Sequence, residues 1–171
     1  METSGQVQRI SNVLRANYLT SHRKIEISIL SDLIISIFRV NALLLERGDH
    51  LVAPLELTSA RWQVLGAVAL AATPLTTPQI AEAMGITRQG AQKQLNRMLE
   101  EGLFEVHANP RKLRSPMYAL TEMGRTKFEQ AMQLQSAWAA NLAKGLSRAE
   151  LEATLQLMNT LYTRLNSPLP I

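Results

Sequence analysis

The stretch Thr77-Pro78-Gln79-Ile80-Ala81-Glu82-Ala83-Met84-Gly85-Ile86-Thr87 limits the fold of this chain more than any other. Thr77 is a capping residue followed by proline, the residue best tolerated at the start of a helix. A short helix is therefore expected from there to Met84, with Gly85 supplying a left-handed turn. Thr87 caps a second helix running to about Glu101, and Gly102 ends it. Two short helices joined by so tight a turn must cross at close range. Ala81 is small enough to allow the approach, and Ile86 fills the gap between them.

The rest of the chain is mostly helical in pattern. Residues 1–24 have weak periodicity (Ile10, Val13, Leu14, Leu19) and read as an extension, at most a loose helix. Ile25 to Arg47 is apolar almost all round, with Ile27, Leu30, Leu33, Ile34, Ile37, Phe38, Leu44 and Leu45. Its length and the Arg47-Gly48 ending predict one long helix stopped by the glycine. Such a helix must be covered on every side, by its own fold or by a partner chain. Thr58 to Ala72 starts on a capping hydroxyl and carries Trp62, Leu65, Val68 and Ala69 at helical spacing. Thr73-Pro74-Leu75-Thr76 breaks the chain. Leu103 to Leu120 predicts a β-hairpin turned at Asn109-Pro110, and Pro116 assigns its returning strand to a sheet edge. Thr121 to Lys144 is helical again. Ser147-Arg148-Ala149-Glu150 has the capping-box form and opens a last helix with Leu151, Leu155, Met158, Leu161 and Leu165 on one stripe. Pro168 and Pro170 end the order.

Charge points to a polyanionic partner through its position more than its sum. Eighteen Lys and Arg against fourteen Asp and Glu give a formal +4, which many proteins carry. Residues 88–127, however, hold eight of the basic side chains and four of the acids. The second short helix presents Thr87, Arg88, Gln89, Gln92, Lys93, Asn96 and Arg97, with no acid between Arg88 and Leu99. Solvated helix faces usually mix charge signs; this one does not. Arg and Lys donate to guanine edges, Gln and Asn pair adenine edges, and a capped helix start binds phosphate. Thr77, at the start of the preceding helix, joins this set as a candidate DNA contact. The hairpin tip, Arg111-Lys112-Leu113-Arg114, would be an ordinary solvated loop if it stood alone. Next to that helix it becomes a second contact to double-stranded DNA, in the minor groove or on phosphate.

Other classes find little support. With no cysteine, disulfide scaffolds, thiolate metal sites and cysteine redox sensors are excluded. His22, His50 and His107 are isolated and lack metal spacing, no glycine cluster forms a phosphate loop, and no nucleophile has an identifiable base. The expectation is a protein without catalytic residues, metal or cofactor. Val64 to Ala72, the longest uncharged apolar stretch in the middle of the chain, is too short to span a bilayer. Residues 1–24 lack the apolar core of a signal peptide, so a cytoplasmic, non-membrane protein is expected.

The stretch Leu57-Thr58-Ser59-Ala60-Arg61-Trp62-Gln63-Val64-Leu65 resembles the second helix of MarR-type regulators. Ile86-Thr87-Arg88-Gln89 through Gly102-Leu103-Phe104 is similar to their recognition helix and first wing strand. Asn109-Pro110, Arg114-Ser115 and Leu120-Thr121-Glu122-Met123-Gly124 stand where that family has its wing and next helix. The resemblance covers about residues 28–165. It implies a mainly α fold with a small β-hairpin wing, a winged helix-turn-helix on a helical dimerisation frame. The segments expected are an N-terminal extension (1–24), a first part of the frame (25–57), a DNA-binding lobe (58–124) and the C-terminal helices of the frame (125–171). It further implies a homodimeric repressor on pseudo-palindromic operators, commonly relieved by a small ligand. The chain departs from the family at two positions. Lys112 stands where family wings carry an Asp that orients the arginine matching Arg114, and Gly90 replaces a β-branched or hydroxyl residue.

Two apolar helices, one at each end, support the homodimer independently, because a small central lobe cannot cover both. Family effector pockets lie between frame and lobe, lined by the first, second and fifth helices. Arg39 and Trp62 are the candidates there, for a small aromatic or anionic effector. The plainer reading pairs Arg39 with an acid and puts Trp62 in the core. The competing function is a winged-helix module for protein contacts or architecture, without an effector of its own. That would call for an acid-rich or apolar second helix, and the residues after Thr87 are neither.

Overall fold

The computed structural model describes the backbone of residues 3–168 and the side chains of residues 23–168. The expectations for the side chains of residues 1–22 and for Pro170 lie outside these residues. Contacts divide the chain into two compact units, Met1–Arg61 and Trp62–Ile171.

The first unit is dominated by one helix, α1 (Thr3–Val52), so residues 3–24 continue the apolar segment without a break. Gly48 does not end it. That glycine is buried inside the helix, and α1 runs one further turn to Val52, which is fully buried. The stop comes from Pro54, in a short 3-10 turn (Ala53–Leu55), and from Glu56, whose φ of 57° makes it the left-handed residue. Extension past Gly48 also places Asp49, whose carboxylate accepts the Ser59 N–H. The Ser59 hydroxyl donates to the Leu45 carbonyl (2.7 Å), and the Arg61 guanidinium donates to the Glu56 carbonyl (2.8 Å). Ser59 and Arg61 are buried polar residues, and these bonds are how they fix the corner into α2 (Ser59–Ala69). The boundary between the units falls inside α2, which ends three residues before the expected Ala72.

Most of α1 is bare. Among its described residues, Ile25, Ile27, Ile29, Ile34, Ile35, Phe38, Val40, Leu43 and Leu44 are all exposed. The segment Arg23–Leu55 is also long and apolar enough to cross a membrane, with a mean hydropathy of 1.8 over its most apolar window. It is a stronger candidate by length and composition than Val64–Ala72.

The second unit holds the remaining elements: β1 (Leu75–Thr76), α3 (Thr77–Met84), α4 (Arg88–Glu100), β2 (Phe104–His107), β3 (Met117–Leu120), α5 (Glu122–Leu142) and α6 (Arg148–Leu165). Its core is Val64, Leu65, Ile80, Ala91, Leu95, Met98, Leu103, Phe104, Tyr118 and Leu120. Buried positions on α4 are Ala91, Leu95 and Met98, a spacing of three and four that leaves its opposite face to solvent. The sheet is three-stranded and antiparallel in the order β1-β3-β2. β3 is therefore the central strand, not the edge that Pro116 suggested. Pro116 precedes the first ladder pair, His107 with Met117, so its missing N–H removes no sheet bond. The second edge is supplied by β1, two residues long, pairing Leu75 with Tyr118 and Thr76 with Met117.

α5 starts on the Thr121 cap and α6 on the Ser147 capping box. There the Glu150 carboxylate accepts both the Ser147 hydroxyl (2.7 Å) and its backbone N–H (2.8 Å). The hydroxyl bond, followed by the backbone bond, holds the Glu150 carboxyl below the usual carboxylate range. No residue of α6 is buried, and Leu151, Leu155, Leu157, Tyr162 and Leu165 are exposed.

Candidate nucleic-acid interface

Two helix starts set the geometry of the helix-turn-helix. The cap of α3 is Thr76, one residue before the expected Thr77, because the Gln79 side-chain carbonyl accepts both the Thr76 N–H (2.9 Å) and its hydroxyl (2.7 Å). Thr77 thereby becomes the first helical residue, and its hydroxyl is free to bond elsewhere. Gly85 closes α3 in the left-handed conformation at φ 62°, its N–H reaching back to Ala81 and Glu82. Thr87 caps α4 by accepting the Gly90 N–H (3.0 Å). A Cβ on Gly90 would lie 3.1 Å from that hydroxyl oxygen. The residue at 90 is small because it packs under its own cap.

On α4 the predicted residues separate into three groups. Arg88, Gln89, Lys93 and Asn96 are exposed, and neither Arg88 nor Lys93 has an acidic partner among the described residues. Arg97 is exposed but forms an ion pair with Glu101 at 3.1 Å, one turn on. Such surface pairs contribute less than about 1 kcal/mol, so a phosphate could displace the acid. Gln92 is half-buried and bonded on all sides. Its Oε1 accepts the Thr77 hydroxyl (2.8 Å), while Nε2 donates to Asn96 Oδ1 (2.8 Å) and to the Tyr118 hydroxyl (3.2 Å). One side chain thus ties α3, α4 and the central strand together. Gln89, Gln92, Lys93, Asn96, Arg97 and Glu100 line a single shallow groove along α4.

The wing tip is braced from within. Asn109 Oδ1 accepts the Arg111 N–H (3.0 Å), and its Nδ2 donates to the Ser115 carbonyl (2.9 Å). Backbone bonds from Lys112 to Asn109 and from Ser115 to Lys112 complete the turn. The structure thus fixes the loop backbone while leaving Arg111, Lys112 and Arg114 exposed and without acidic partners among the described residues. Leu113, between them, is 94% exposed.

Sequence reasoning missed two of these residues. Tyr118 stood within an apolar run, and nothing nearby in sequence signals that its hydroxyl meets Gln92. Asn109-Pro110 signals a turn, and the proline is the one sign in the sequence that the loop has a fixed shape. The effector candidates lie in separate units: Arg39 is exposed on α1, and Trp62 is half-buried on α2. Among the described residues, no group of three or more His, Asp or Glu comes together as a metal site.

Residues 55–115 match the sequence profile of the MarR family. An uncharacterized protein of Mycobacterium tuberculosis is 33% identical over 138 residues, which is 81% of this chain and 95% of that protein. A Staphylococcus aureus MarR solved with salicylate and kanamycin has the same fold, with a TM-score of 0.67 at 21% identity, covering 80% of this chain and 92% of its own. The transcriptional repressor CouR, solved on a 23-mer DNA duplex, is similar at a TM-score of 0.65 and 28% identity, covering 74% of this chain and 89% of its own. With the helix-turn-helix, the three-stranded wing sheet and a relative of this identity over most of both chains, the protein belongs to the MarR family of winged-helix transcription regulators.

Proposed function

We propose that the chain is a homodimeric, cytoplasmic repressor that binds pseudo-palindromic DNA operators. The observation that carries this reading is a face of α4 with exposed Arg88, Gln89, Lys93 and Asn96, next to a braced wing whose three cations have no acidic partners among the described residues. Cations already neutralised within a fold have little to offer phosphate; these are not neutralised. Side chains of α4 enter the major groove, where Arg88 and Lys93 meet guanine edges or phosphate. The wing supplies Arg111, Lys112 and Arg114 to the neighbouring backbone or minor groove. Lys112 cannot orient Arg114 as an acid would, so the wing contributes affinity more than sequence choice. CouR on its DNA duplex supports this reading.

Two copies would set their α4 helices about one helical turn of DNA apart. The exposed apolar faces of α1 and α6 support that assembly. A small aromatic anion is the effector class we favour. The salicylate complex of the S. aureus relative supports the class.

The test is binding to the native promoter across a salt series. Arg88→Ala and Lys93→Ala should each weaken binding about ten-fold or more. Arg114→Ala should weaken specific and nonspecific DNA alike and lower the salt slope by about one. Wild-type affinity in all three variants at moderate salt would overturn the reading.

A further inference from the structure

Side-chain amides in a recognition helix are ordinarily expected to read adenine, giving one N–H to N7 and accepting one from N6. The bonding of Gln92 removes it from that role. A glutamine amide has two N–H groups, and both are used, one on Asn96 Oδ1 and one on the Tyr118 hydroxyl. Nothing remains to donate to a base. Tyr118 is 3% exposed and Thr77 is half-buried, so neither partner is on offer to solvent as a replacement. From the bonding of this amide we infer that Gln92 is a positioning residue. It turns the oxygen of Asn96 inward and leaves its NH2 outward, so that Asn96 selects an acceptor (guanine O6/N7, thymine O4 or adenine N7) and rejects cytosine, which offers only its N4 donor. This inference rests on the DNA-binding reading above and adds the chemistry of one base contact to it.

The polarity of the network follows from counting donors. As arranged, the Thr77 hydroxyl and both Gln92 N–H groups have acceptors, and only the Tyr118 hydroxyl hydrogen remains to be placed. With the amide reversed, Tyr118 and Asn96 would both donate to Oε1 and one N–H would reach Thr77. That leaves a second amide N–H and the Thr77 hydroxyl hydrogen without acceptors. Donors stranded in a half-buried site are costly, so the observed polarity is preferred. Asn96 is exposed, its oxygen is engaged, and its NH2 has no partner among the described residues. The wing enters through the same amide: Tyr118 is on the central strand, so the orientation of Asn96 is linked to the seating of the wing.

The experiment is selection from a randomised duplex pool by the full-length protein, followed by sequencing, for wild type, Gln92→Ala, Gln92→Glu, Asn96→Ala and Tyr118→Phe. Circular dichroism would verify that each variant is folded. Wild type should disfavour cytosine, the base without a major-groove acceptor, by about ten-fold at one position of each half-site. Asn96→Ala and Gln92→Ala should both flatten that same position to within about two-fold and leave the other positions ranked as before. Tyr118→Phe should flatten it less, because the bond from Gln92 to Asn96 survives. Glutamate at 92 can only accept, so Asn96 must turn its NH2 inward; Gln92→Glu should shift the preference toward adenine or cytosine. Loss of two different positions in Gln92→Ala and Asn96→Ala would show Gln92 reading its own base and overturn the inference alone. An unchanged profile in Asn96→Ala would overturn it as well. If wild type enriches no sequence, the DNA-binding reading fails, and this inference with it.

Discussion

Gly124→Ala is expected to lower the melting temperature by about 6–12 °C, the largest effect of any single methyl added to the lobe. Gly124 is buried in the first turn of α5, and a Cβ there would stand 2.1 Å from the carbonyl oxygen of Leu103 and 3.0 Å from its carbonyl carbon. Backbone cannot rotate away as a side chain can. Two bonds hold the two segments together at this point, and a third ties Gly124 to the residue that makes them. The Thr121 N–H donates to Leu103 O (3.2 Å), the Thr121 hydroxyl donates to Gly102 O (2.7 Å), and that hydroxyl oxygen accepts the Gly124 N–H (3.1 Å). To admit the methyl, α5 must lift from the turn before β2 and strain all three, next to the buried Leu103 and Phe104. Overpacking costs about 1–3 kcal/mol, and a clash between two backbones belongs at the upper end. For a chain of this length about 3 kcal/mol converts to the stated shift. Since the displaced junction also anchors β3 and the wing, operator binding should fall as well. Gly90→Ala is the control. Its Cβ would meet only the Thr87 hydroxyl, and the gain in helix propensity is about 1 kcal/mol. The net change there should stay within about 1 kcal/mol in either direction. Thermal unfolding by circular dichroism distinguishes the two; a Gly124→Ala melting point within about 2 °C of wild type would refute the account.

The contrast between these glycines indicates what was legible in the sequence. Sequence patterns are legible where their cause is local. Gly85 between two short helices, Thr87 before Arg88 and the Ser147-to-Glu150 box each involve neighbours a few residues apart, and each folds as its pattern suggested. Errors arose where the deciding partner is distant. Gly48 looked like a helix stop, yet burial of Val52 and the bond from Ser59 to Asp49 carry α1 past it. Thr77 is a local exception: it has a capping hydroxyl, but Gln79, three residues along, bonds Thr76 instead. Pro116 marked β3 as an edge, because a two-residue strand forty residues earlier gives no periodic signal of its own. The interface followed the same rule. Its cations were visible as a run without acids, whereas the Gln92 network joins positions 77, 92, 96 and 118.

The second large effect is expected at Phe38. Phe38→Glu should convert the protein from a dimer to a monomer and lower operator affinity by about 100-fold or more, since two linked half-site contacts bind 10²- to 10⁴-fold more tightly than one. Phe38 is 70% exposed and contributes little to the core of the single chain, so the substitution should leave each copy folded. It sits on α1 among Ile34, Ile35 and Val40, all exposed, and Ile25, Ile27, Ile29, Leu43 and Leu44 on the same helix are exposed too. Apolar surface of this extent is rarely left to water. A bilayer is the rival cover, as Arg23–Leu55 has the required length and hydropathy. It would have to accept Asp32 and Arg39 in hydrocarbon, at about 2.5–3.5 kcal/mol for each charge on insertion scales. A second copy of the chain imposes no such cost, because exposed charges can stay at the rim of a protein interface. Light scattering at micromolar concentration should give twice the 19.0 kDa chain mass for wild type and one chain mass for Phe38→Glu. Flotation of wild type with lipid vesicles would favour the bilayer. A monomeric wild type, or a Phe38→Glu dimer with undiminished operator affinity, would refute α1 as the pairing surface.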